Sequence, residues 1–116
     1  MSNDQGSSPM ISGPQITSEL ASDPDMAELI GEYLSELEKR VGVINDAMGS
    51  SRLDVVQRIA HQLRGASAGY GYRVIGDAAA TVEDLLRNRP DPDVESVRRA
   101  VDDLLSICQR AMIPGR

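Results

Sequence analysis

The sequence predicts an all-α protein, an antiparallel up-and-down four-helix bundle, and three observations carry that expectation. Apolar residues recur every third or fourth position over four segments, the signature of amphipathic helices. The breaks between those segments are short and built from Gly, Ser, Pro and Asp, and short connections force antiparallel neighbours. The chain has no Phe, no Trp and only three Tyr. Its core is therefore expected to be aliphatic, which suits interlocking helices better than a small β-sandwich.

The elements follow in order. Residues 1–14 are rich in Ser, Gly, Pro and Asn and offer little to bury, so they read as a disordered lead, with the domain proper at 15–113. There is room for a short extra N-terminal helix, one turn at Ile16 to Leu20. Asp23-Pro24 then starts the first long helix, Asp23 as cap and Pro24 in the first turn, where its missing N–H costs nothing. Its stripe is Met26, Leu29, Ile30, Tyr33, Leu34, Leu37, Val41, Ile44 and Met48. Gly49-Ser50-Ser51 is expected to end it and to cap the next helix.

The second helix is predicted from about Arg52 to Tyr70, with Leu53, Val56, Ile59, Ala60, Leu63, Ser67 and Tyr70 inward and Gly69 and Gly71 marking the break. A third runs from about Arg73 to Asn88 on Val74, Ile75, Ala78, Val82, Leu85 and Leu86. After the turn Pro90-Asp91-Pro92, a fourth reaches about Met112 on Val94, Val97, Val101, Leu104, Leu105 and Cys108.

Composition narrows the function. One domain of 116 residues has no space for an ATP-binding catalytic domain beside a bundle. A net charge of −6 argues against general nucleic-acid binding. No apolar run approaches the roughly 18 residues that span a bilayer, and MSNDQGSSPM is not a secretion signal, so the expected compartment is the cytoplasm. The single cysteine, Cys108, excludes an internal disulfide and reads as a small buried residue. No internal repeats are evident.

His61 is the only histidine. With roughly 100° of rotation per residue and His61 at 0°, Leu63, Ile59, Tyr70 and Val56 fall between roughly 140° and 220°. The imidazole therefore faces away from the core stripe. Asp54, Gln57, Arg58, Arg64, Gly65 and Ala68 share its face. Gly65 stands out, because a glycine inside a helix costs about 1 kcal/mol against alanine and here projects to solvent. Ala68 continues the same bare strip. The segment Arg52 to Arg73 also carries four arginines against one aspartate, a local field for an anion in an otherwise acidic chain.

The stretch Ala60-His61-Gln62-Leu63-Arg64-Gly65-Ala66-Ser67-Ala68-Gly69-Tyr70-Gly71 resembles the signature of histidine phosphotransfer (HPt) domains. That signature reads as His, any residue, aliphatic, Lys or Arg, Gly, two small residues, and after two positions an apolar or aromatic residue and Gly. His61, Leu63, Arg64, Gly65, Ala66, Ser67, Tyr70 and Gly71 meet every position, and the resemblance spans roughly Ile16 to Met112 in helix number and order.

The resemblance implies a phosphoryl carrier, not an enzyme in the usual sense, that moves a phosphoryl group between aspartates of response-regulator receiver domains. In it His61 would be the phosphorylated residue. Arg64, with Gln57 and Arg58, would support the phosphate, and Gly65, Ala68 and Gln62 would line the receiver-docking surface. The partners would be receiver domains and a hybrid sensor histidine kinase, with no nucleic acid or membrane, and the carrier itself is expected to be a monomer. No cofactor or metal is expected on the chain, since Asp54, about two turns away, is the one carboxylate seen near His61. Mg²⁺ would belong to the receiver. Two other readings stay open, the phosphoacceptor domain of a chemotaxis-type histidine kinase and a non-phosphorylated helical interaction module.

Overall fold

The computed structural model describes residues 13–87 and 89–112. Most of the expected 1–14 lead, the expected third-helix end at Asn88 and the domain end at residue 113 lie outside them. Four helices, α1 (Ala27–Gly49), α2 (Leu53–Ala66), α3 (Arg73–Leu86) and α4 (Val94–Met112), pack as a ring in which each touches its chain neighbours and α4 closes on α1. Among the described residues there is no strand.

Local chemistry sets the boundaries. Asp23 Oδ1 accepts the N–H of Asp25 at 2.9 Å, capping a single 3-10 turn (Pro24–Met26) that runs straight into α1. The helical turn expected at Ile16 to Leu20 does not form. That segment is irregular and then turns, because its backbone is spent on other partners: Ile16 N–H reaches Arg110 O at 3.1 Å and Glu19 N–H reaches Gly71 O at 2.8 Å. Ser18 is buried there, its hydroxyl donating to Tyr70 O at 2.7 Å and accepting from Leu20 N–H at 2.9 Å.

α1 ends as predicted at Gly49, but Ser50 and Ser51 do not cap α2. Ser51 adopts the left-handed conformation (φ 58°) that terminates α1, and the residue preceding α2 is Arg52, which makes no side-chain cap. The second helix is also shorter than expected. It is α-helical to Ala66 and tightens into a 3-10 segment over Ser67–Tyr70, which Gly71 stops at φ 85°. Ahead of α4, Asp93 accepts Glu95 N–H at 3.3 Å and the Ser96 hydroxyl at 2.7 Å.

The core is built from Leu37, Ile44, Val56, Leu63, Ile75, Val82, Val97, Leu104 and Cys108, all essentially inaccessible. Burying each such aliphatic side chain is worth about 1.5–3 kcal/mol. Leu29, Val74 and Val94, expected on the inner stripes, are exposed, each standing in the first turn of its helix. The aliphatic expectation omitted one feature: all three tyrosines stack. Tyr33 lies between Tyr70 (ring centroids 4.9 Å) and Tyr72 (5.3 Å), and its hydroxyl meets Ser67 Oγ at 2.6 Å. Burial pushes the Tyr33 phenol up to about 12, so it stays protonated as a hydrogen-bonding group.

Candidate functional site

α2 presents His61 from its middle, with the side chain 70 % exposed. Val56, Ile59, Ala60 and Leu63 are buried and the imidazole is not, as rotation by roughly 100° per residue predicts. What the single-helix view missed is the neighbouring helix. His61 Nδ1 lies 2.7 Å from Oε2 of Glu83 on α3. The expectation that Asp54 is the nearest carboxylate is thus wrong; Asp54 is occupied by Arg52 at 3.4 Å.

Glu83 reaches the imidazole because α3 runs close to α2. Gly76 and Glu83 are seven residues apart, on one face of α3. A Cβ at Gly76 would sit 3.7 Å from Arg64 O and 3.9 Å from Leu63 O, ordinary van der Waals contact, so α3 runs directly alongside the α2 backbone there. Two turns on, the Glu83 side chain, only 5 % exposed, lies against α2.

Glu83 gathers three cationic or proton-bearing groups. Arg64 Nη1 donates to its Oε1 at 3.2 Å, and Arg87 Nη2 stands 3.5 Å from its Oε2, the atom that faces His61. Burial resists ionisation of this carboxyl. The hydrogen bonds from His61 and Arg64, with the charges of His61 and Arg87, outweigh that penalty and hold it below the ordinary value of 4.5. Near neutral pH it is therefore a carboxylate, which only accepts. His61 must then keep its proton on Nδ1, and in the neutral ring the lone pair is left on Nε2.

The other predicted residues divide. Arg64 is one turn from His61 as expected, but its bonds run to α3, to Glu83 and to Asp84 Oδ1 at 3.2 Å. Gln57 is half-buried and Arg58 exposed on the turn preceding His61. Gln62 lies on the α1 side of α2, where its Oε1 accepts Arg40 Nε–H at 3.3 Å. Gly65 is open, with nothing within 4 Å of a Cβ placed on it, and Ala66, Ala68 and Gly69 are exposed beside it. The bare strip is present.

Glu83 had a legible signal. In Ala79, Val82, Glu83, Leu86 it occupies the helical register of the buried stripe. An acid at an inward position demands a partner, and His61 with Arg64 supplies it.

This arrangement offers one exposed nucleophilic nitrogen, a carboxylate fixing the ring behind it, nearby guanidinium groups and a flat approach. Among the described residues no group of acidic, Cys and His side chains is arranged to hold a metal ion, and no helix is long and apolar enough to cross a membrane.

Residues 28–111 match the family model of the Hpt domain, nearly the whole helical bundle, and the chain belongs to that family. Hpt domains are phosphocarrier modules that perform histidine phosphotransfer in phosphorelays, working with receiver domains, and this is the class of function the chain has. No curated protein and no solved structure matches it.

Proposed function

We propose that the chain carries a phosphoryl group on Nε2 of His61, taking it from the aspartyl phosphate of one receiver domain and delivering it to the aspartate of another. The observation that carries this reading is the His61–Glu83 pair on an exposed, unobstructed helix face. In the accepting step the Nε2 lone pair attacks phosphorus in line, the bond from phosphorus to the receiver's carboxyl oxygen breaks, and the aspartate leaves as carboxylate. Nδ1 keeps its proton throughout, so the ring becomes positively charged as the phosphoramidate forms. Glu83 is already in place to offset that charge, and reversal needs no added proton.

Arg64 supplies positive potential to the phosphoryl oxygens, with Gln57 and Arg58 on the preceding turn as further donors. Gly65 and Ala68 leave room for the receiver, and Gln62 lies on the α1 side of the same surface. A shallow recess of about 270 Å³ between α1 and α2, lined by Glu32, Glu36, Arg40, Ala66 and Tyr70, continues it. In this reading Mg²⁺ comes with the receiver and the chain adds no cofactor. It works as a cytoplasmic monomer, with a hybrid sensor kinase as the upstream source.

Site mapping by mass spectrometry after incubation with a phosphorylated receiver tests the assignment. Phosphate is expected on His61; phosphate on a hydroxyl or carboxyl group of a folded chain would sink it.

A further inference from the structure

The proposed site leaves one geometric tension. Arg64 is a full turn from His61 on an exposed face, yet its side-chain hydrogen bonds run from Nη1 toward α3. The two N–H groups of Nη1 are used by two carboxylates, the buried Glu83 and the exposed Asp84, each at 3.2 Å. Those two acids differ in what they can release. Glu83 also holds His61 and Arg87, so its negative charge stays compensated whether or not Arg64 is present. Asp84 has Arg64 as its ion-pair partner and is 62 % exposed, so water solvates it readily when the guanidinium departs.

The geometry points to Asp84 as a positioning residue for phosphoryl transfer: it parks Arg64 against α3 in the unphosphorylated protein and yields it when His61 carries a phosphoryl group. The inference rests on His61 being the phosphoryl site. A phosphoryl group on Nε2 brings close to two negative charges and three acceptor oxygens within a turn of Arg64. It therefore competes with Asp84 for the same guanidinium. Asp84 biases the equilibrium toward the unphosphorylated form and keeps the phosphohistidine ready to leave, without touching the reacting atoms.

An exposed ion pair sets the size of the effect. Freeing Arg64 from such a pair shifts an equilibrium about two- to fivefold. Removing an acid also changes the local field, so the test must separate release of Arg64 from loss of charge. A double-mutant cycle does so.

The experiment measures the equilibrium fraction of phosphorylated chain against a phosphorylated receiver for wild type, Asp84→Ala, Asp84→Glu, Arg64→Ala and the Asp84→Ala, Arg64→Ala pair. The Nε–H resonance of Arg64 is followed by NMR in the unphosphorylated wild type and Asp84→Ala. Asp84→Ala is expected to raise the ratio of phosphorylated to unphosphorylated chain about two- to fivefold in the wild-type background and to leave it unchanged when Arg64 is already absent. Asp84→Glu should restore wild-type behaviour, and the Arg64 resonance should move in Asp84→Ala. An equal rise in both backgrounds, or an unmoved Arg64 resonance with an unchanged fraction, overturns the role of Asp84 while leaving the carrier reading intact. Absence of label from wild type itself, with the chain folded, overturns the carrier reading and this role with it.

Discussion

The Nδ1 atom of His61 on α2 and Oε2 of Glu83 on α3 are 2.7 Å apart, which joins the exposed imidazole to a carboxylate that is itself almost wholly buried. The pair fixes ring orientation and tautomer together. It also places a negative charge behind the ring, on the side away from Nε2.

Replacing Glu83 by Gln keeps an acceptor near Nδ1 but removes its charge. A charge-assisted hydrogen bond is roughly twice as strong as a neutral one. Phosphoryl acceptance should slow about tenfold, within the range that such bonds contribute. Glu83→Ala should slow it further. Single-turnover transfer from a phosphorylated receiver checks the order, and ¹⁵N shifts of the His61 ring should show loss of the Nδ1–H preference in the alanine variant.

Glu83 also links folding to pH. Its folded-state pKa lies below its ordinary value of 4.5, so the stability it contributes is fully present above that value and is lost as pH falls through the folded value. Urea unfolding of the wild type should therefore weaken on acidification from about pH 4.5 downward. Glu83→Gln should flatten that part of the profile, and an identical slope in the two proteins would contradict the pairing.

Gly65 separates docking from folding. A Cβ added there has open space around it, so Gly65→Gln starts its side chain without a clash and gains up to about 1 kcal/mol of helix propensity. Unfolding should show equal or greater stability, whereas transfer from a receiver should fall by an order of magnitude or more. Normal transfer in a folded Gly65→Gln chain would remove the steric account of this face.

At the far end of α2, the buried Tyr33–Ser67 bond supports the end of the site helix. Ser67→Ala alone strands the Tyr33 hydroxyl and should cost about 1–3 kcal/mol. Adding Tyr33→Phe should recover part of that loss, because both polar partners are then gone. Gly71→Ala should also destabilise: the left-handed backbone costs about 1–2 kcal/mol with a side chain. Its Cβ would also sit 2.9 Å from the N atoms of Glu19 and Leu20.

The sequence made the helices legible because each has a continuous apolar stripe, and it made His61 legible because one helix suffices to say which way a residue points. Glu83 was hidden for the complementary reason. Its contact with His61 is set by how closely α3 approaches α2, which depends on the packing of two helices, not on the periodicity of either. The segment at Ile16 to Leu20 failed similarly: its local pattern permits a helical turn, but Arg110 O and Gly71 O claim its backbone donors. Leu29, Val74 and Val94 fit their stripes by register and lie exposed in the first turns of their helices.

The central claim is that His61 both receives and returns a phosphoryl group, and a pulse-chase tests it most directly. The chain is loaded from one ³²P-labelled receiver, separated, and mixed with a second unlabelled receiver, in parallel with His61→Gln. The account predicts acid-labile, alkali-stable label on the wild type, its passage to the second receiver's aspartate, and no label at any stage on His61→Gln. Label retained by a folded His61→Gln chain, or a wild type that no receiver labels, would contradict it.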